Sequence, residues 1–142
     1  QASLEVLWPL SGASGTEVNE DAMVMEMTSG DFKGIFTGDI GKETEEKLLQ
    51  NGWLEDVDFL KVAHHGSKYS TGQEFLDIVK PELAVISCSS MNTYGHPSPD
   101  TLRRLENSGS KVLITKDAGA VMIYRKHKHI FAKTYRKNSD CE

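Results

Sequence analysis

The sequence predicts one α/β domain with a mixed β-sheet and helices packed on it. Strand and helix patterns alternate through the middle of the chain, and hairpin patterns lie at both ends. The length of 142 residues, with 38% hydrophobic and 26% charged residues, suits a single globular unit. We therefore expect one domain over residues 1–142, in which residues 125–142 are a basic strand and a polar tail.

The first third of the chain predicts a strand, a hairpin and a helix. Residues 4–9 (LEVLWP) are an apolar run that a proline ends. Residues 22–30 and 32–39 are two strand-like runs across a Ser-Gly-Asp turn, which is typical of a hairpin. Residues 42–51 have helical composition, and Gly52 follows at the position where helices commonly end.

The remaining elements alternate and then finish in strands. Strands are predicted at 57–63, 83–89, 111–115, 120–124 and 129–135, and helices at 73–79 and 98–109. The second helix has the clearest ends, with Ser98 as N-cap, Pro99 in the first turn and Gly109 after the last turn. This order predicts parallel strands joined by helices in the middle of the sheet.

Charge is unevenly distributed along the chain. The net charge of −5 argues against a general affinity for nucleic acid, although residues 124–137 (YRKHKHIFAKTYRK) are strongly basic. Arg125, Lys126 and Lys128 are therefore weak candidates for nucleic-acid contacts, and a solvated edge strand is the alternative. No apolar run approaches the ~18 residues of a membrane span, so we expect a soluble chain.

Several familiar chemical signatures are missing from the sequence. There is no P-loop, dinucleotide fingerprint, CxxC motif or nucleophile elbow. Cys88 lies in an apolar run and Cys141 in the polar tail, and neither has metal or redox spacing. The cysteines therefore do not indicate a compartment.

Polar side chains follow three of the predicted strands at the point where each strand ends. They are Asp39, then His64 and His65, then a loop with Asn92, Tyr94 and His96. Ligands of α/β proteins gather beyond the carboxyl ends of strands, so these groups predict a metal or acid-base site. Each has a structural alternative, because such residues also occur in turns or as hydrogen-bonded loop side chains.

Five motifs in order resemble one protein family. FTGDIGKETEEKLL, DFLKVAHHGSKYST, FLDIVKPELAVIS, NTYGHPSPDTLRRLENSGSKVLIT and DAGAVMI resemble the C-terminal half of the metallo-β-lactamase-fold domain of the ComEC family, whose members are associated with DNA uptake by competent bacteria. The resemblance covers residues 4–122, and HHGS followed by YGHPSP is its most specific part.

The resemblance implies a fold, a metal site and a reaction. The fold is an αββα sandwich that holds two divalent metal ions, usually zinc, between similar halves. Asp39 would bridge the metals, and either His64 or His65 would be a ligand while the other supports the site or contacts phosphate. His96 at the rim and Ser67 after the histidine pair are the candidate catalytic residues, and phosphodiester hydrolysis is the implied reaction.

The chain also departs from the family pattern. The first metal motif, HxHxDH or HxDxDH, is absent, and the other histidines, His127 and His129, lie in the basic strand, where we expect them to face solvent. We therefore expect half a site that is inactive alone and binds metal weakly or not at all, in either a truncated or a divergent chain. The expected partners are DNA or another phosphodiester, a preceding half-domain or a membrane channel domain, and a second copy at an exposed sheet face. The family implies a membrane-associated or extracytoplasmic location.

Two other functions stay open. The chain could be a non-catalytic module that binds DNA through residues 125–137, with an affinity that depends on salt and not on chelators. It could also keep the fold and hydrolyse a different substrate, such as a phosphocholine ester or a lactam.

Overall fold

The structure, a computed structural model, describes residues 1–10 and 18–136. The strands within these residues are Ala2–Trp8 (β1), Val24–Ser29 (β2), Phe32–Phe36 (β3), Phe59–Lys61 (β4), Leu83–Ile86 (β5), Lys111–Ile114 (β6), Val121–Lys126 (β7) and His129–Thr134 (β8). The helices are Lys42–Gln50 (α1), Gln73–Val79 (α2), Pro99–Asn107 (α3) and the single turn Thr115–Ala118 (α4). Short 3-10 turns lie at Val18–Asp21 and Ala63–Gly66.

The main sheet is mixed. Six strands follow the order β1-β2-β3-β4-β5-β6, in which β1, β2 and β3 are antiparallel. From β3 to β6 each pair is parallel, because the intervening helices return the chain to the same end of the sheet. Strands β7 and β8 form a separate antiparallel hairpin. The predicted mixed α/β architecture is confirmed.

The two faces of the main sheet pack against different layers. On one face, buried side chains of α1, α2 and α3 meet those of the central strands: Leu48, Phe75, Leu76, Val79 and Leu105 pack with Ile35, Leu60, Ala84 and Ile86. On the other face, the strand side chains Phe32, Phe59, Leu83 and Val85 pack against Val121, Ile123 and Ile130 of the hairpin. All four residues of β5 are therefore buried, as is typical of a central parallel strand.

The hairpin leaves part of its face of the sheet open. Leu4 and Val6 of β1 are exposed, and their pairing partners Met27 and Met25 are only half-buried. The expected association with a second copy through this face stays a prediction. The αββα sandwich also stays a prediction, since the described residues establish only a mixed sheet with helices on one face and a hairpin on the other.

Most predicted elements agree with the structure to within a few residues. Strand β4 is shorter than the predicted 57–63, because the chain leaves the sheet at Val62 and enters the 3-10 turn. The turn α4 was not predicted. Within residues 1–10 and 18–136, no helix combines the length and apolarity needed to cross a membrane. Cys141 and the end of the basic tail lie outside the described residues.

Candidate active site

The loop that carries Asp39 is tied to the neighbouring strand end. The buried hydroxyl of Thr37 donates to the carbonyl of Lys61 (2.7 Å), and the amide of His64 donates to the carbonyl of Gly38 (3.0 Å). Gly38 has φ of +52°, and a Cβ there would lie 2.9 Å from the Met23 carbonyl oxygen. Glycine is therefore required at this position, and the Asp39 loop is held against the histidine turn.

The histidine pair lies in a left-handed backbone conformation. His64 has φ 45° and ψ 45°, and His65 has φ 55° and ψ 21°. Such conformations cost a non-glycine residue about 1–3 kcal/mol each and persist only where surrounding contacts enforce them. Here the amide of Ser67 donates to the His64 carbonyl (2.9 Å), and the amide of Ser98 donates to the Gly66 carbonyl (2.8 Å). The pair is thus not the end of a strand but a strained turn between two loops.

His65 and Asp39 face each other. Nδ1 of His65 lies 2.7 Å from the carbonyl oxygen of Ser87, which can only accept, so this nitrogen carries the proton. Nε2 lies 3.8 Å from Oδ2 of Asp39, and both side chains are about half exposed. In a neutral ring Nε2 is a lone-pair acceptor, so two electron-rich atoms oppose each other. A proton on Nε2, a water that donates to both atoms or a cation between them would make this arrangement favourable.

The Asp39–His65 pair fits a zinc ion in donor type and spacing but not in donor number. Zinc takes nitrogen and oxygen at about 2.0–2.2 Å, which at tetrahedral angles separates two donors by about 3.4 Å. The observed 3.8 Å is close to that value. However, catalytic zinc sites use three protein ligands, and no group of three or more His, Cys, Asp or Glu side chains suited to a metal occurs in the part of the chain that the structure describes.

His96 is the third part of the site and lies beside His64. Its ring centroid lies 5.8 Å from that of His64, and its backbone is clamped by Asn92, whose side chain accepts from the His96 amide and donates to the His96 carbonyl (both 2.9 Å). Nδ1 of His96 is buried without a hydrogen-bond partner among the described residues. Burial lowers the pKa of His96, and the nearby His64 and His65 lower it further, so the ring is predominantly neutral at neutral pH.

Comparisons with known proteins relate the chain to bacterial competence proteins. It is 36% identical over 110 residues to ComE operon protein 3 of Bacillus subtilis, covering 78% of the chain and 14% of that protein. It is 34% identical over 104 residues to competence protein ComA of Neisseria gonorrhoeae, covering 72% of the chain and 15% of that protein. It is 31% identical over 105 residues to recombination protein 2 of Haemophilus influenzae, covering 74% of the chain and 13% of that protein. No family model matches the chain.

The chain is homologous to one segment of the ComEC family. It spans only a small fraction of the length of these relatives, as the coverage of 14% in the first of them shows. The ComEC-family resemblance of the HHGS and YGHPSP motifs is therefore confirmed at the level of the family, whereas the metallo-β-lactamase fold and a metal site stay predictions.

Ser67, a predicted catalytic residue, lies at the end of the histidine turn. The side chain is buried, and its hydroxyl accepts from the amide of Tyr69 (3.3 Å). Its carbonyl accepts from the hydroxyl of Thr101 (2.8 Å), which connects the histidine turn to α3. These contacts stabilise the turn, and a catalytic role for Ser67 stays a prediction.

The predicted nucleic-acid contacts, Arg125, Lys126 and Lys128, lie far along the chain from the histidine cluster and outside the main sheet. Arg125 and Lys126 end β7, and Lys128 lies in the turn to β8, so all three belong to the β7–β8 hairpin. His127 and His129 beside them are exposed, as expected. Nucleic-acid contact by these cations stays a prediction.

Three residues of the site region were missed by the sequence analysis: Lys61, Lys68 and Tyr69. Lys61 is half-buried; its Nζ donates to the Val62 carbonyl (3.0 Å), burial lowers its pKa, and Asp39 opposes that effect. A lysine inside the apolar run FLKVA was the available signal, because a cation in a central strand requires a specific reason. Lys68 and Tyr69 lie in the polar stretch after the histidine pair, which gave no such signal.

Proposed function

We propose that this chain forms one wall of a phosphodiesterase site that acts on DNA within a ComEC-type competence protein. The observation that carries the proposal is the opposition of His65 Nε2 and Asp39 Oδ2 at 3.8 Å, with the other ring nitrogen committed to the Ser87 carbonyl. A second hydrogen bond of this kind orients metal-binding histidines in proteins. The names of two relatives, competence protein ComA and recombination protein 2, make DNA the favoured substrate.

In this proposal, each residue of the cluster has a different task. Asp39 and His65 are two ligands of a divalent cation, and the remaining ligands come from groups outside the described residues. A bound cation supplies Lewis acidity at a phosphoryl oxygen. His96, held by Asn92 and kept neutral, orients the substrate at the rim. Lys61 adds a cationic charge close to Asp39, which favours an anionic substrate.

This assignment gives the two adjacent histidines distinct roles. His65 is the ligand, because its ring is the one that faces Asp39. His64 lies between the other two rings, with its centroid 6.5 Å from His65 and 5.8 Å from His96. We assign His64 to substrate contact. The surrounding membrane channel domain and preceding half-domain implied by the family are part of the same proposal.

Cation binding and DNA cleavage test the proposal together. Asp39→Asn and His65→Gln each remove one donor, while Asp56→Asn and His129→Gln are matched changes at exposed positions outside the cluster. Calorimetric titration with Mn²⁺ or Zn²⁺ should show binding that the first two variants weaken at least ~10-fold and the controls leave unchanged. Cleavage of labelled DNA, measured on the whole gene product that carries this chain, should fall at least ~100-fold in the first two variants. Unchanged cleavage in Asp39→Asn would contradict the proposal.

A second candidate function is a DNA-binding module without catalysis. The exposed basic turn around Lys128 favours it, because cations there are available to phosphates. Its signature is DNA affinity that falls with salt, persists in chelator and is lost when Arg125, Lys126 and Lys128 are changed to glutamine.

A further inference from the structure

A groove lies beside the histidine cluster. It has a volume of about 450 Å³, and its walls come from the two loops that carry His64 and His96. Lys68 and Tyr69 line one side, and Tyr94 lines the other. The groove is therefore continuous with the proposed active site, but it extends beyond the side chains to which the proposal gives a role in cleavage.

Two tyrosines of this groove are unusually exposed. Tyr94 is 82% exposed and Tyr69 is 68% exposed, so neither ring contributes to the core. Tyr94 stacks on His96, with ring centroids 6.0 Å apart and planes 19° from parallel. The high exposure of Tyr94 shows that its other face is open. This face is a flat aromatic surface supported from behind.

A cation accompanies the second tyrosine. Nζ of Lys68 lies 4.9 Å from the ring centroid of Tyr69, within the range of a cation–π contact. The ammonium covers one face of Tyr69, so the groove offers the other face of Tyr69, the open face of Tyr94 and one ammonium group. Proteins that bind single-stranded nucleic acid combine these elements, because bases stack on the rings while the cation meets a phosphate.

We propose that this groove binds unpaired nucleotides of single-stranded DNA, with bases stacked on Tyr94 and Tyr69 and a backbone phosphate at Lys68. The inference rests on the proposed function for its DNA substrate and adds the strand form that the site accepts. Bases within a duplex are already stacked on their neighbours, so their faces are closed to a protein ring. An unpaired strand offers those faces without the cost of opening base pairs.

The charges of the chain predict that DNA affinity at the groove depends only weakly on salt concentration. With a net charge of −5, the surface as a whole repels DNA, and Lys68 is the lysine among the groove-lining residues. One phosphate contact on a single strand gives a slope of about −0.7 for the logarithm of affinity against the logarithm of salt concentration. We expect a slope of this size, and Lys68→Gln should flatten it towards zero.

Fluorescence anisotropy with short oligonucleotides tests the groove. The probes are a labelled thymidine 10-mer, an abasic oligomer of the same length and a duplex, all in EDTA so that cleavage does not occur. Tyr94→Ala and Tyr69→Ala should each weaken thymidine-oligomer binding about 5- to 150-fold, the range for loss of one base stack. They should change binding of the abasic oligomer less than ~2-fold, and the duplex should bind more weakly than the single strand.

The chain contains a matched control for the tyrosine–lysine pair. Tyr135 is also exposed, with Nζ of Lys133 5.3 Å from its ring centroid, but it lies beyond β8 and outside the groove. Tyr135→Ala should leave binding unchanged. Tyr94→Phe and Tyr69→Phe keep the ring and should bind like the parent, which separates stacking from misfolding in the alanine variants.

Three outcomes of the binding comparisons would overturn the inference, and a fourth result involves cleavage. The three are tighter binding to duplex than to single strand, equal losses for the thymidine and abasic oligomers, and an equal loss in Tyr135→Ala, which would assign binding to the basic hairpin. Asp39→Asn separates this inference from the proposed function, since it should keep binding in EDTA while losing cleavage. Cleavage of a small base-free phosphodiester without oligonucleotide binding would refute the groove and leave only the proposed phosphodiesterase chemistry standing.

Discussion

Replacing Gly66 by alanine tests whether the two loops of the candidate site are clamped together. Gly66 has φ of +82°, and a Cβ there would lie 2.6 Å from Cβ and 3.1 Å from Cα of Pro97. The Gly66 carbonyl also accepts from the amide of Ser98 (2.8 Å). Because the obstructing atoms belong to a proline ring and its backbone, they cannot rotate away. The substitution must therefore move the loop of His96 away from the turn of His64.

The magnitude follows from two separate costs. A left-handed conformation costs alanine about 1–2 kcal/mol, and forcing an extra carbon into a filled space costs about 1–3 kcal/mol. Gly66→Ala should therefore lower the free energy of unfolding by about 2–5 kcal/mol. Gly109 has the same φ of +82°, but a Cβ there would meet no atom within 4 Å, so Gly109→Ala incurs the first cost alone.

Urea unfolding followed by tryptophan fluorescence measures both variants. Trp8 is a suitable reporter, because it is buried at the end of β1. The difference between the two variants isolates the contact with Pro97 and should be about 1–3 kcal/mol. Equal losses in Gly66→Ala and Gly109→Ala would refute the close packing of the two loops, and with it the geometry of the site.

Two further predictions concern ionisable groups, the buried Glu45 and the half-buried His96. Glu45 is 2% exposed and accepts from the amides of Thr71 (2.5 Å) and Gly72 (2.8 Å), so Glu45→Ala leaves one buried and one partly buried donor unsatisfied and should cost about 2–5 kcal/mol in urea unfolding. The exposed neighbour Glu46 is the control, and a cost above about 0.5 kcal/mol for Glu46→Ala would indicate a general helix effect instead. The ring of His96 should titrate in an NMR pH series below the ordinary value of 6.5, because burial disfavours its charged form. The stability that His96 contributes is complete above pH 6.5 and is lost as the pH falls through the lowered pKa. The difference in the free energy of unfolding between the parent and His96→Asn should therefore shrink from pH 7 to pH 5. A difference that stays constant would contradict this.

Helices were the easiest elements to predict because their signals are local. The apolar spacing in α2 predicts Gln73–Val79, and the structure has the same bounds. The start of α3 is also local, since the Ser98 hydroxyl accepts from the amide of Thr101 (3.2 Å) as an N-cap does. The end of β4 was misjudged because the residues after Lys61 are as apolar as those before, and only contacts with other loops turn the chain there.

The candidate site could be predicted in part for a topological reason. Parallel strands β3, β4 and β5 end at the same edge of the sheet, so residues that follow them come together. This rule brings Asp39, His65 and His96 into one region. It could not decide between His64 and His65, because that choice depends on the left-handed turn and on the carbonyl of Ser87, which is 22 residues away in the chain.

The strain in the histidine turn connects stability to the proposed function. Two consecutive non-glycine residues in left-handed conformations are a cost that the fold could avoid with glycines. The contacts that enforce the turn, from Gly38 on one side and Gly66 on the other, occur at glycines where a Cβ would collide. Glycines therefore occupy the positions where two backbone segments approach closely, and histidines occupy the positions where the backbone conformation is strained. The glycines are what stability favours at their positions, whereas the two histidines are not, and their presence is explained if both rings are needed at one site.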